Sequence, residues 1–491
     1  MKIYFSDFFN VTPDILDKYG AFNISLINDL PLFIDPFLLF GSKKPEYQIL
    51  HDEILTYLTF LKNKSEQGIT EISQVKSWYI FSEVKQNWFG YSKVGNSGSG
   101  LGQKFGKSMS SSMHLVFDDL GKEKITQSSH LEKAGLFEIG VGKDNISDFT
   151  TNLIKHYLLT YTESFAKKYI DKALLKTVKV SKVFFDYELE RWMPKEFVLP
   201  FIFKDFVILT PRDILTKDDN WINSNDLRGD FTRICNSIQN DQLRNEIFNY
   251  FQKKLPKPPK NKKNTQKEIT QAIQATITQY PEIIKWYIKQ KEENKEGAKN
   301  ISKQKVQEVE TVFIHQISSF VEILIENTDF YDISPQSSYG ESLKRIAFLK
   351  QVIENNDGYR LFYIDGKPIK REEDLQIIYR LTWFASSYDV NREVNNGRGP
   401  VDYSVSKGSE DKTLIEFKLA SNSKLKQNLA KQVEVYEQAN NTKKSIKVIL
   451  YFDNSELKKV NNVLKELKME KNPNIVLIDA GRKASASNVR R

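Results

Sequence analysis

A chain of 491 residues holds a single thiol, Cys235, and only five imidazoles. A lone thiol excludes an intramolecular disulfide and every multi-cysteine zinc or iron–sulfur cluster, and it fits a reducing compartment. His51, His114, His130, His156 and His315 show no paired ligand spacing, so any metal chemistry must rest on oxygen donors. Long apolar runs are missing as well. The best stretches, residues 30–40 and 198–209, are interrupted by Asp35 and Pro36 and by Lys204 and Asp205, well short of the ~18–20 residues that cross a bilayer. The first residues lack the apolar core of a signal peptide. These absences together lead us to expect a cytoplasmic protein with no membrane partner.

What is present is foldable. Hydrophobic residues make up 40% of the chain and charged residues 27%, enough apolar material for real cores and unlike wholesale disorder. At about 150 residues per domain the length suggests roughly three domains. Lys and Arg number 72 against 63 Asp and Glu, a net charge of +9 that favours a polyanionic partner without deciding for one. The clearest composition break is the Pro/Lys stretch at 253–266, which reads as a basic linker. Before it, residues 1–252 mix strand-like runs (78–84, 179–187 and 206–209) with a helix-like run at 148–169, which is mixed α+β material suited to sensing or regulation. After it, 267–337 reads as a helical spacer or dimerisation region, broken at Pro281 and carrying a charged stretch at 289–299. Residues 481–491 form a basic tail.

From 338 to 480 the pattern sharpens into helix, short hairpin, helix, three strands, helix, strand, helix, strand, an α/β sandwich whose middle strands are buried. Strand side chains alternate, so in 413–419 Glu416 and Lys418 share one face while Ile415, Phe417 and Leu419 take the other. A hairpin at about 406–412 brings Asp402 onto the neighbouring strand, ~5 Å across. Two carboxylates at ~4 Å repel by roughly 4 kcal/mol at an effective dielectric of about 20, and a divalent cation relieves that cost. Hard oxygen donors suit Mg²⁺, with Mn²⁺ as a substitute.

These residues resemble the PD-(D/E)XK nuclease superfamily over about 370–480. Its second-strand acid falls on Asp402, with Val401 between the proline and the acid, and its (D/E)-x-K signature falls on Glu416, Phe417 and Lys418. An acid on the preceding helix would be Glu373 or Glu372. A glutamine on the helix after the third strand would be Gln432, followed four residues later by Tyr436. The resemblance implies a restriction-endonuclease-like fold in which Asp402, Glu416 and Glu373 hold Mg²⁺. It further implies Lys418 as base or charge stabiliser and Gln432 as a positioning residue. Arg392, Arg398, Lys424, Lys426 and Lys431 flank the expected cleft and could contact DNA phosphates. Glu-x-Lys alone is cheap, recurring at Glu83/Lys85, Glu293/Lys295, Glu410/Lys412, Glu456/Lys458 and Glu466/Lys468; only the ordered set points to a site.

The expected function is a metal-dependent endonuclease acting on DNA in bacterial restriction or anti-phage defence, as a homo-oligomer or with a partner protein of the same defence operon. The rivals are an inactive nuclease-fold DNA-binding protein and an RNA-cleaving, toxin-like nuclease. Two other motifs fail. The glycine-rich run 98–108 ends in Gly106-Lys107-Ser108, but Leu101 stands where a phosphate loop needs its first glycine. Asp144, Ser147 and Asp148 read mainly as a turn and helix cap, with a second acidic site as the minority reading.

Overall fold

The computed structural model describes the chain apart from residues 1, 28, 69–71, 91–105, 107–108, 111–112, 115, 138–140, 218, 258–263, 317–336, 356–357, 365–366, 370–371, 384–387, 396–399, 408–410, 431–443 and 483–491. The glycine-rich run therefore lies largely outside the described residues. The architecture is mixed α+β with helix predominating.

In the first region a long helix α1 (Pro45–Gln67) packs with α2 (Lys143–Leu153) and α3 (Lys155–Tyr169). Beside them lies a ribbon of two twelve-residue strands, β1 (Leu175–Asp186) and β2 (Arg191–Ile202), paired antiparallel. Several expectations change here. Residues 79–84 follow a short helix, Ile72–Trp78, and form no strand. Their apolar alternation buries Tyr79 and Phe81 in the core without a neighbouring strand to pair with. Of 206–209 only Phe206 pairs, opposite Phe201. The helix expected at 148–169 starts earlier, at Lys143, and breaks at Ile154. Ser147 and Asp148 therefore lie inside a helix rather than capping it: Ser147 Oγ accepts from the Ile34 amide at 2.9 Å. Asp148 is pushed up to about 7 by burial, then by the charges of Glu83 and Asp144.

The Pro/Lys stretch joins two helices that share one core. α4 (Asp241–Lys254) and α5 (Gln266–Gln279) contribute Ile247, Ile273 and Ile277 to a cluster that also holds Ile283 and Tyr287 of α6 (Glu282–Glu293), Ala298 of α7 (Lys295–Glu310), and Phe37, Leu38 and Leu136 of the first region. Prolines stop a helix whether or not a domain ends there. The charged stretch 289–299 is itself largely helical, as expected of Lys and Glu, which are good helix formers. Glu292 seals the contact: its fully buried carboxylate accepts from the Gln127 and Ser128 amides at 2.7 and 3.0 Å and lies 2.9 Å from His130 Nε2.

In the last region α8 (Ser338–Asn355) and α9 (Glu372–Leu381) cover one face of a five-stranded sheet. Its strands are β3 (Asp389–Asn395), β4 (Pro400–Lys407), β5 (Asp411–Leu419), β6 (Ser445–Tyr451) and β7 (Ile475–Asp479), in the order β7-β6-β5-β4-β3. β3, β4 and β5 are antiparallel, whereas β5, β6 and β7 run parallel. Tyr403, Ile415, Phe417, Val448 and Leu450 pack under α8 and α9 with Tyr379, each such burial contributing ~1.5–3 kcal/mol. The other face packs Ile449 against Leu425 and Leu429 of a helix at 425–430, and against Val460 and Leu464 of α10 (Asn454–Glu466). Asp453 caps α10 by accepting from the Ser455 and Glu456 amides.

Candidate active site

The antiparallel ladder between β4 and β5 ends at the pair Tyr403–Ile415. Beyond it the Phe417 amide is taken by a side chain instead: Asp402 Oδ2 accepts from it at 2.5 Å. This aims the Asp402 carboxylate at the same face of β5 as Glu416 and Lys418. Lys418 Nζ then lies 3.6 Å from Asp402 Oδ2 and 3.3 Å from Glu372 Oε2, with only 9% of its side chain exposed. Glu372 opens α9, and its carboxylate also accepts from the Leu419 amide at 3.2 Å and from Asn422 Nδ2 at 2.9 Å. Three chain segments thus meet at the end of β5.

Of the residues singled out in the sequence, Asp402, Glu416 and Lys418 come together. The helix acid that reaches them is Glu372, the alternative to Glu373, whose side chain lies outside the described residues, as does that of Arg392. Arg398, Lys431 and Gln432 are themselves outside them. Lys424 is exposed just after Asn422. Lys426 is exposed and paired with Glu466 at 2.6 Å.

The sequence reading missed two residues, Asn422 and Lys447. Glu416 on β5 stands opposite Lys447 on β6, their charged groups 3.4 Å apart and both nearly buried. A lysine inside the run Ile446-Lys447-Val448-Ile449-Leu450 was the available signal, since an isolated cation in an apolar strand calls for an anion beside it.

The cluster holds three carboxylates and two ammonium groups. Burial alone would drive Lys418 down, but Asp402, Glu372 and Glu416 outweigh it and hold the lysine above its ordinary value, so it remains charged. Asp402 is pushed up to about 7, by burial first and by the charges of Glu416 and Glu372, against the attraction of Lys418 and the Phe417 hydrogen bond. Among the described residues no three Asp, Glu, His or Cys side chains lie close enough together to hold a metal ion. Two carboxylates suffice for an ion that completes its shell with water and phosphate. Asp402, whose charge burial and its neighbours disfavour, has the chemistry to gain from a cation.

Two family models match the chain, each described as a domain of unknown function: DUF8370 over residues 10–223 and DUF8371 over residues 338–454. The second span contains Glu372, Asp402, Glu416, Lys418 and Lys447. No curated protein and no solved structure matches.

Proposed function

We propose that the last region is a metal-dependent nuclease that hydrolyses phosphodiester bonds in DNA. The observation that carries this reading is the convergence of Lys418 with Asp402, Glu372 and Glu416 at the end of a central strand. Asp402 and Glu416 would hold Mg²⁺ or Mn²⁺. When bound, the ion supplies neutralisation of phosphate charge. Lys418, kept protonated by its acidic neighbours, acts as a cation that stabilises the charge developing on the phosphate oxygens, rather than as a base. Glu372, fixed by the Leu419 amide and Asn422, holds that ammonium in place. Lys447 offsets the buried charge of Glu416 and fixes its direction. By analogy with how such domains are deployed, the setting is restriction or anti-phage defence, with residues 10–223 choosing or sensing the target.

The test is cleavage of duplex DNA by the full chain with Mg²⁺. Lys418→Ala should lower the rate by at least a hundredfold, as expected for removing one positioned charge. Equal cutting by both proteins overturns the assignment, and faster cutting of single-stranded RNA would move the substrate. A second reading, a DNA-binding protein on a nuclease-like scaffold, is favoured by Glu416 already having a cationic partner. Binding without cleavage in every metal would select it.

A further inference from the structure

The first region holds a second set of oxygen donors, far from the Lys418 cluster in sequence and more deeply buried. Asp35 follows the short strand Phe33–Ile34 and is 1% exposed. Its Oδ1 accepts from the Phe37 amide at 3.1 Å and its Oδ2 from the Trp221 amide at 2.8 Å. Glu132, 2% exposed, lies in the turn before the helix Lys133–Phe137, with its carboxyl against that of Asp35. Asn220, 4% exposed, donates its Nδ2–H to Asp35 Oδ1 at 3.5 Å, which leaves its carbonyl oxygen on the other arm of the same amide. Among the described residues neither Glu132 oxygen nor Asn220 Oδ1 accepts a well-formed hydrogen bond, the Glu132 carboxyl meeting chiefly the Asp35 carboxyl and the Phe37 backbone, although buried polar oxygens are nearly always satisfied.

The nearby cations are committed elsewhere. Lys133 turns to Asp119 at 2.7 Å and Asp118 at 3.7 Å. Lys217 lies 3.8 Å from Glu308, and His130 is held by Glu292 at 2.9 Å. Neither Asp35 nor Glu132 makes an ion pair with a described residue. Two facing carboxylates without a countercharge are costly in so dry a place. One doubly charged ion cancels both charges, whereas a singly charged one leaves a net anion.

We propose that Asp35, Glu132 and Asn220 bind a hard divalent cation that ties three distant segments of the first region together. The donors are two carboxylates and a side-chain carbonyl, an all-oxygen set suited to Ca²⁺, Mg²⁺ or Mn²⁺ and unsuited to softer metals. The ion stabilises the surface on which α6 and α7 pack, because Trp221, whose amide Asp35 holds, also donates its indole N–H to the Lys291 carbonyl at 3.1 Å.

The experiment uses the full chain carrying Asp402→Asn and Glu416→Gln, so that the acids of the cleft do not contribute. After dialysis against chelator, the protein is equilibrated with Mg²⁺, Mn²⁺ or Ca²⁺ in turn, bound metal is counted by elemental analysis, and Tm is followed against cation concentration. One ion per chain, a Tm that climbs with cation concentration, and loss of both on adding Glu132→Gln support the site. No bound ion with any of the three, or an ion that Glu132→Gln leaves in place, overturns it. A pair that shares a proton behaves oppositely: Glu132→Gln mimics the protonated acid, raises Tm and leaves it indifferent to chelator, which also overturns the proposal. Should that variant fail to fold, Asn220→Asp decides. A third carboxylate lowers the cation concentration needed to raise Tm if an ion binds there; a Tm that falls equally with and without cation overturns the site.

Discussion

Asp402 is placed where its charge works against the fold. Its carboxyl is pushed up to about 7 in the folded chain from an ordinary 3.8, so the folded state holds the proton more tightly than the unfolded one. A group with a raised folded pKa contributes its full stability below the unfolded value and loses it as pH climbs through the folded one. The window here runs from about pH 4 to about pH 7, and the loss above it is on the order of 4 kcal/mol at ~1.4 kcal/mol per unit. Asp402→Asn, which resembles the protonated acid in shape, should therefore be more stable than the parent at pH 8, with the gain fading as pH falls to 4, while cleavage is lost. Thermal melts across that range check it, and a variant less stable than the parent at pH 8 would contradict the stated balance of burial and repulsion. A carboxylate that costs stability is best explained by a task.

Helices and strands differ in how much of them the sequence makes legible. The sheet strands were readable because a two-residue alternation in 413–419 separates Ile415, Phe417 and Leu419 from Glu416 and Lys418, and β5 runs over those residues. The same signal misled at 79–84, since alternation reports burial on one side and says nothing about a hydrogen-bonded neighbour. Lys447 stayed hidden for a related reason: its partner is set by the register of β6 against β5, a pairing between residues 31 positions apart that no local pattern encodes. The contact of α6 with the 127–130 loop is more distant still, 162 residues separating His130 from Glu292. Glu292→Gln would put amide hydrogens where three donors now converge, leaving buried groups unsatisfied at a cost of about 3 kcal/mol. Urea unfolding should show that loss without a change in cleavage chemistry, whereas Ala at exposed Glu293 should be within about 0.5 kcal/mol of the parent.

For the whole molecule, charge says less than its total suggests. The net +9 is spread over 135 charged side chains, and many described lysines are already engaged with carboxylates, as Lys426 is with Glu466. A phosphate backbone is drawn to groups that keep their charge available near the Lys418 cluster. Among the expected contacts Lys424 fits that description: it is exposed and follows Asn422, which bonds the Glu372 carboxylate. Each phosphate contact contributes about −0.9 to the slope of log affinity against log salt for duplex DNA. Lys424→Ala should thus weaken DNA binding and flatten the salt slope by about one unit, with the rate of bond hydrolysis at saturating DNA unchanged. Lys426→Ala, removing a surface pair worth ~0–1 kcal/mol, should alter neither. Salt titrations of the two variants on one DNA duplex separate the cases. An equal flattening by both would mean that the field of the whole surface, and not the lysine beside the carboxylate cluster, attracts the substrate, and Lys424 would then have no special part in presenting the phosphate to Lys418.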